Sequence, residues 1–432
     1  MGETIKYIAG KFLTGLRLFQ NFILIMLPYA ISKAGNHSRN TTIITLIAVT
    51  FIYVIIGKKK IELDKKLIIF GALYILITSL SFWNIRDSYN GEQMKTYTGV
   101  VIYILFAFSM TQIDIDKRLY RWIPVLISLF SLAPAFRALS EWHENGFSMD
   151  YRIFGDSWPS VFCMELGMMV LASIVVIFYE KNRIFKVLAS ISLIIGFTAI
   201  VGIQARIAIA MIPFFFLLIA VSKNLKIGIK LGIALLVCLL VIVSTDFEKY
   251  FKRFDSSDPG GSYSNQVRVE IYKRTKELIK ENSVLGIGFY NLRGVNVKDE
   301  PRLLEYVETE TWGIKKEIPG TQENLKLWSY SATHLHNNLL ETLVTQGILG
   351  LIFYVCFLFF MLVNLLKNLK NKDFLESREI FVLAFIAFLY ITIDGIIDTN
   401  IYMIKVNQAF YFMMGLALNK RFFSGKREKD GE

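Results

Sequence analysis

The chain has 432 residues, 54% of them hydrophobic and 14% aromatic, with a mean hydropathy of +0.45. That apolar share exceeds the range of ordinary soluble domains, so the composition is that of an integral membrane protein. A net charge of +12 would suggest nucleic acid in a soluble chain, but here the basic residues cluster between apolar runs, as membrane topology requires, and no nucleic-acid partner is expected.

Apolar runs near the length of one bilayer crossing lie at about 13–33, 41–57, 67–83, 96–112, 120–136 and 158–179. A second set follows at about 184–202, 206–221, 228–244, 347–366, 379–398 and 402–419. The pattern predicts an all-α polytopic membrane protein with about twelve transmembrane helices. A β-barrel would show short alternating runs instead. Lys and Arg gather at every second connection, as at Lys58, Lys59 and Lys60, at Lys117, Arg118 and Arg121, and at Lys367, Lys370 and Arg378. That bias puts both termini in the cytoplasm. Two polar insertions, 137–157 and 245–337, then fall on the outer face.

Three regions are expected: an N-terminal transmembrane bundle over 1–244, a loop domain over 245–337, and C-terminal helices with a cytoplasmic tail over 338–432. The start of the chain lacks the layout of a cleaved signal peptide, so the first span is expected to act as the insertion signal. Cys163, Cys238 and Cys356 each sit alone in an apolar run and read as packing residues. Within the long insertion, Val267, Ile271 and Leu278 follow helical spacing, predicting an amphipathic helix over 266–281 on the membrane surface. A Gly-Ile-Gly turn and a charge-mixed stretch to Tyr330 come next. Trp142, Trp158, Trp312, Trp328 and Tyr330 read as interfacial anchors, with sugar stacking open to those on the long loop.

Titratable groups concentrate between Thr333 and Gly350, which holds two of the four histidines. His334 and His336 share a side if the segment is extended. Asn338 followed by Glu341 resembles a capping box, which would put His336 just outside a helix N-terminus. Exposed N–H groups there attract anions and disfavour imidazolium, a suitable setting for a neutral general base beside a phosphate. Two other readings stand beside it: interface histidines that only cap and hydrogen-bond, or metal ligands. No Cys cluster or helical His/Glu set accompanies the His-x-His, so neither a metal nor a cofactor is expected.

Between Ile184 and Val221 the only charged residues are Lys186 and Arg206, and the run must turn near Gly202 and Gln204. Arg206 thus sits at the outer boundary, where it either snorkels to headgroups or meets an anion with its planar fork. Arg268 and Arg152 read locally as solvated charges. Asp394 and Asp398, four apart on one helical face, are expected to pair with Arg206 or Lys405 rather than to take part in catalysis.

Gln-Ala-Arg at 204–206, Val-Arg-Val-Glu-Ile-Tyr at 267–272 with the Asn-Ser-Val-Leu-Gly-Ile-Gly-Phe turn, and His-Leu-His-Asn-Asn-Leu-Leu-Glu at 334–341 with Gly-Ile-Leu-Gly-Leu form an ordered set. This set resembles the bacterial O-antigen ligase and polymerase superfamily, over most of the chain and closer to the ligases. The resemblance implies inverting, metal-independent glycosyl transfer at the periplasmic face of a bacterial inner membrane. The donor would be a glycan on undecaprenyl pyrophosphate and the acceptor a lipid A-core sugar. His336 matches the catalytic position, and Arg206 and Arg268 match arginines that hold the pyrophosphate. Arg152, His334, Asn337, Asp394 and Asp398 are supporting candidates. A polymerase extending lipid-linked repeats is the nearest alternative, and a polytopic transporter or flippase is the alternative from another class.

Overall fold

The computed structural model describes residues 2–32, 36–61, 63–83, 91–148, 151–155, 158–233, 272, 275–276, 278–280, 282–292, 296–298, 327–329, 334–370 and 378–419. Its helices are α1 (Gly2–Ser32), α2 (Asn36–Ile56), α3 (Lys65–Trp83), α4 (Gly91–Met110), α5 (Lys117–Phe130), α6 (Leu132–Glu144), α7 (Pro159–Tyr179), α8 (Arg183–Ile203) and α9 (Arg206–Lys223), followed by α10 (Asn338–Lys370), α11 (Arg378–Ile397) and α12 (Ile404–Ala417). Residues 225–233 are also helical; the rest of the expected span 228–244 lies outside the described residues. Among the described residues, nine helices are long and apolar enough to cross a membrane, with α5 and α6 counted as one. The protein is a multi-pass membrane protein.

The bundle is built around α7. Its sequence is apolar on all sides, and Phe162 through Val176 are all buried, as a helix surrounded by other helices requires. α5, α8, α9, α11 and α12 pack against it, α10 packs on α3, and α12 packs on α4. The helices at the two ends of the chain thus share one bundle. The charge that α7 carries, Glu165, meets the guanidinium of Arg39 at 3.4 Å, with both side chains buried. Arg39 also donates to the Ile31 carbonyl at the end of α1. Pairing of this kind is what makes a charge tolerable inside a bundle.

Two expected boundaries shift. The span expected to end at 136 continues to Glu144, because the helical ladder runs through Ser131, whose N–H bonds Ile127 and whose carbonyl accepts from Ala135. Arg137, which reads in sequence as the start of a polar loop, instead donates to the Ser32 carbonyl at 2.8 Å. The second shift is at α10. The apolar span predicted from 347 is the lower part of a longer helix, broken at Gly347 with φ 69 and ψ −172.

The break is filled by the turn at 282–288. Ile287 and Gly288 donate backbone N–H groups to the Val344 and Thr345 carbonyls at 2.9 and 3.1 Å, and Ile348 donates to Ser283 at 2.9 Å. Ser81 on α3 adds a hydrogen bond to the Thr345 carbonyl at 2.6 Å. Helix carbonyls freed by the break are thereby paired, as a low-dielectric interior demands. The two backbones touch so closely that a Cβ at Gly286 would stand 2.4 Å from the Thr345 carbonyl carbon, and one at Gly347 2.1 Å from the Val284 oxygen.

In the long insertion, the described residues at 272, 275–276 and 278–280 are helical, as expected for part of 266–281; Val267 and Ile271 lie outside the described residues. Leu278 packs with Leu292, Leu335 and Val344. The insertion also holds two short strands that an all-α reading did not include: β1 (Asn296–Lys298) pairs antiparallel with β2 (Leu327–Ser329). Trp328 is in β2, and Trp158 is 64% exposed. Trp142 departs from the expected anchor role. It is buried against Gly202, with its indole N–H donating to the Ser148 carbonyl. Trp312, Tyr330 and Cys238 lie outside the described residues, and Cys163 is a buried free thiol on α7.

Candidate active site

The segment 334–337 precedes α10 and is held by side chains from other elements. Glu341, fully buried one turn into α10, accepts the Leu335 N–H at 2.7 Å with Oε2. Tyr272 donates its hydroxyl to the His336 carbonyl at 3.2 Å. The Asn337 N–H bonds Thr399 Oγ1 at 2.9 Å, and the Asn337 side-chain amide donates to the Ile396 carbonyl at 2.7 Å. His336 itself has φ 54, a left-handed conformation that a non-glycine residue holds only when its surroundings impose it.

The helix cap differs from the sequence expectation by one residue. Asn337, not Asn338, is the cap: its Oδ1 accepts from Leu340 N–H at 2.9 Å, while Glu341 reaches back to Leu335 instead of the cap. Asn338 turns inward. It exchanges hydrogen bonds with Asn400 in the link between α11 and α12, giving Nδ2 to Asn400 Oδ1 at 2.6 Å and accepting Asn400 N–H at 2.8 Å. Gly395 makes room for this pair, since a Cβ there would lie 2.2 Å from Asn338 Nδ2.

These anchors bring the start of α10 against the end of α11. His336 Nδ1 lies 2.8 Å from Asp398 Oδ1, and the same carboxylate oxygen accepts the Thr399 N–H at 2.9 Å. His334 stands edge-to-face with His336, ring centroids 4.5 Å apart at 80°, so the two imidazoles do share a side. Where the sequence suggested Arg206 or Lys405 as the answer to Asp398, the structure shows the catalytic candidate as one of its partners. Asp394, one turn earlier, accepts weakly from Asn400 Nδ2 at 3.5 Å.

Arg152 belongs to a second cluster. Its Nε donates to the Ile203 carbonyl at 3.1 Å, and Gln204 Nε2 donates to the Tyr151 carbonyl at 3.4 Å. The loop at 151–155 is therefore laid against the turn from α8 into α9, whose Gln204 is left-handed with φ 57 and whose next helix begins at Arg206. Glu141 clasps the same loop through Tyr151 O–H, Phe154 N–H and Gly155 N–H. The hydrogen bond to that carboxylate holds the Tyr151 hydroxyl above its ordinary pKa. Arg206 is exposed at the head of α9. Arg268 lies outside the described residues.

The family model described as O-Antigen ligase matches residues 191–355. Over this region the chain is similar to O-antigen ligases. The region runs from within α8 through the break in α10, and so includes Arg206, Arg268, His334, His336 and Asn337 but neither Arg152 nor the Asp394–Asp398 pair. A Rickettsia conorii protein provisionally named a polysaccharide ligase is 23% identical over 342 residues, spanning 72% of this chain and 70% of its own.

Sequence reasoning missed the Asn338–Asn400 pair, the hold of Glu341 on Leu335, and the filling of the α10 break. A signal existed for the last: the Gly-Ile-Gly turn at 286–288, and a glycine at 347 where the apolar run begins.

Proposed function

We propose that the protein transfers a glycan from undecaprenyl pyrophosphate to a sugar of the lipid A core, in the manner of an O-antigen ligase. In this reading about twelve helices cross a bacterial inner membrane. Both termini are cytoplasmic, and the His336 end faces the periplasm. The observation that carries the reading is the 2.8 Å contact between His336 Nδ1 and Asp398 Oδ1, with His336 inside the region that matches the O-antigen ligase model.

The contact suits a general base. With Nδ1–H donated to the carboxylate, the His336 lone pair lies on Nε2, ready to take the proton of an attacking sugar hydroxyl, and Asp398 stabilises the imidazolium that results. The new bond joins that hydroxyl oxygen to the anomeric carbon, and the departing bond leaves its electron pair on the pyrophosphate. Arg206 and Arg268 neutralise that charge through charge-assisted hydrogen bonds, the turn bearing Arg206 being steadied by Arg152. The donor is already activated, so the reaction needs no nucleotide.

The test is transfer by purified protein from a lipid-pyrophosphate glycan to a core acceptor. Parent activity with release of undecaprenyl pyrophosphate, and its loss in His336→Ala, supports the reading. Full activity in His336→Ala removes the base assignment, and lengthening of the lipid-linked glycan without acceptor marks a polymerase.

A further inference from the structure

We propose that His334, His336 and Asp398 form a binding site for one borderline transition-metal ion of the zinc or copper class, whose occupancy blocks transfer. One donor atom from each residue lies within 4.8 Å of the other two, so small side-chain motions bring all three onto a single ion. The general base and its orienting carboxylate are His336 and Asp398, and the proton transfer proposed above gives His334 no step of its own. Its imidazole is nonetheless held against that of His336.

The donor set decides the class of ion. Two imidazoles and one carboxylate suit zinc, copper or nickel, whereas calcium and magnesium take oxygen ligands. Three protein ligands leave a fourth position for water. The surroundings are those of a supported site: Thr399 N–H fixes the carboxylate, and Glu341, Tyr272 and Thr399 fix the backbone that bears the two histidines. An ion shared with Asp398 takes the Nδ1 side of His336, so the ring proton resides on Nε2, which can then no longer accept the hydroxyl proton, and Asp398 is drawn from its orienting role. This inhibitory consequence rests on the base assignment above; the binding itself does not.

The experiment uses the full chain in detergent, stripped with chelator and carrying no polyhistidine tag. Zinc chloride is titrated by calorimetry, and cobalt chloride by visible absorption. One equivalent is expected to bind, with cobalt bands of a low-coordinate N/O site. His334→Ala, His334→Gln and Asp398→Asn should each weaken binding by about 10- to 100-fold or more, with folding checked by thermal unfolding. His143→Ala should bind as the parent does. One equivalent of zinc should lower parent turnover about tenfold, with chelator restoring it. Absence of stoichiometric binding overturns the site, as does binding that persists in all three variants. Zinc bound with turnover intact overturns the block. A protein without transferase activity defeats the functional reading, while the titration still decides the site.

Discussion

His336 and Asp398, 62 residues apart in the chain, meet at 2.8 Å where the start of α10 is fastened to the end of α11. The pair is a product of packing, because neither residue lies near the other in sequence or shares a helix with it. If Asp398 fixes the tautomer of His336, then Asp398→Asn lowers kcat by about 100- to 10,000-fold, close to the loss in His336→Ala. The double variant should fall no further than His336→Ala alone, because the two act as a unit. Additive losses in steady-state kinetics would show that Asp398 works elsewhere.

Gly395 is the space that lets Asn338 and Asn400 interlock. Gly395→Ala inserts a methyl group 2.2 Å from Asn338 Nδ2 and is expected to cost about 1–3 kcal/mol of stability. Turnover should fall as well, through displacement of Asp398 from His336. A parent-like melting temperature together with parent-like turnover would remove the interlock from the site's architecture.

Gly286 and Gly347 both have positive φ and both face backbone rather than a yielding side chain. Alanine at either position meets conformational strain of about 1–3 kcal/mol in addition to a steric clash. Thermal unfolding of Gly286→Ala and Gly347→Ala should therefore show losses at least that large. Gly146, also at positive φ but with open space around its Cβ position, is the control and should lose less.

Arg152 steadies the turn before Arg206 through Nε, an atom that lysine does not offer. Arg152→Lys and Arg152→Ala should thus reduce transfer alike. Their losses should be non-additive with that of Arg206→Ala, as expected of residues coupled through one turn. Rescue by lysine would mean that charge alone is needed at 152.

At the other end of the bundle, burial raises the Glu180 pKa, but hydrogen bonds from Arg121 and from the Asn182 and Lys181 N–H groups outweigh it and hold the carboxyl below its ordinary value of 4.5. A depressed folded pKa stabilises the protein above the unfolded value, and that contribution is lost as pH falls through the folded one. Melting temperature should accordingly fall on acidification below pH 4.5. Glu180→Gln should show a shallower decline over the same window.

Most of the bundle was legible because hydropathy and charge report the cost of exposing polar groups to lipid, and these act on each helix locally. The predicted spans fall on helices wherever the structure describes them, from α1 to α12. The end of α6 was hidden because Arg137 looks like a loop residue until its partner, the Ser32 carbonyl, is seen. The site followed the same division. His336 and Arg206 stood out because each is unusual for its local setting, whereas the role of Asp398 depends on a neighbour 62 residues away. The cap moved by one position for a similar reason: either asparagine can cap in isolation, and Asn400, Ile401 N–H and Tyr354 hold Asn338 inward.

The interruption at Gly347 separates α10 into a short upper piece tied to the turn at 282–288 and a long lower piece facing the remaining membrane helices. Bilayers differ in thickness, and continuous helices meet the difference by tilting along their whole length. In α10 the upper piece is tied to Ile287 and Gly288, and the lower piece is tied to the same turn only at its first residue after the break, where Ile348 N–H bonds the Ser283 carbonyl. A break at this point sets the stretch that follows His336 apart from the long membrane-crossing part of the same helix.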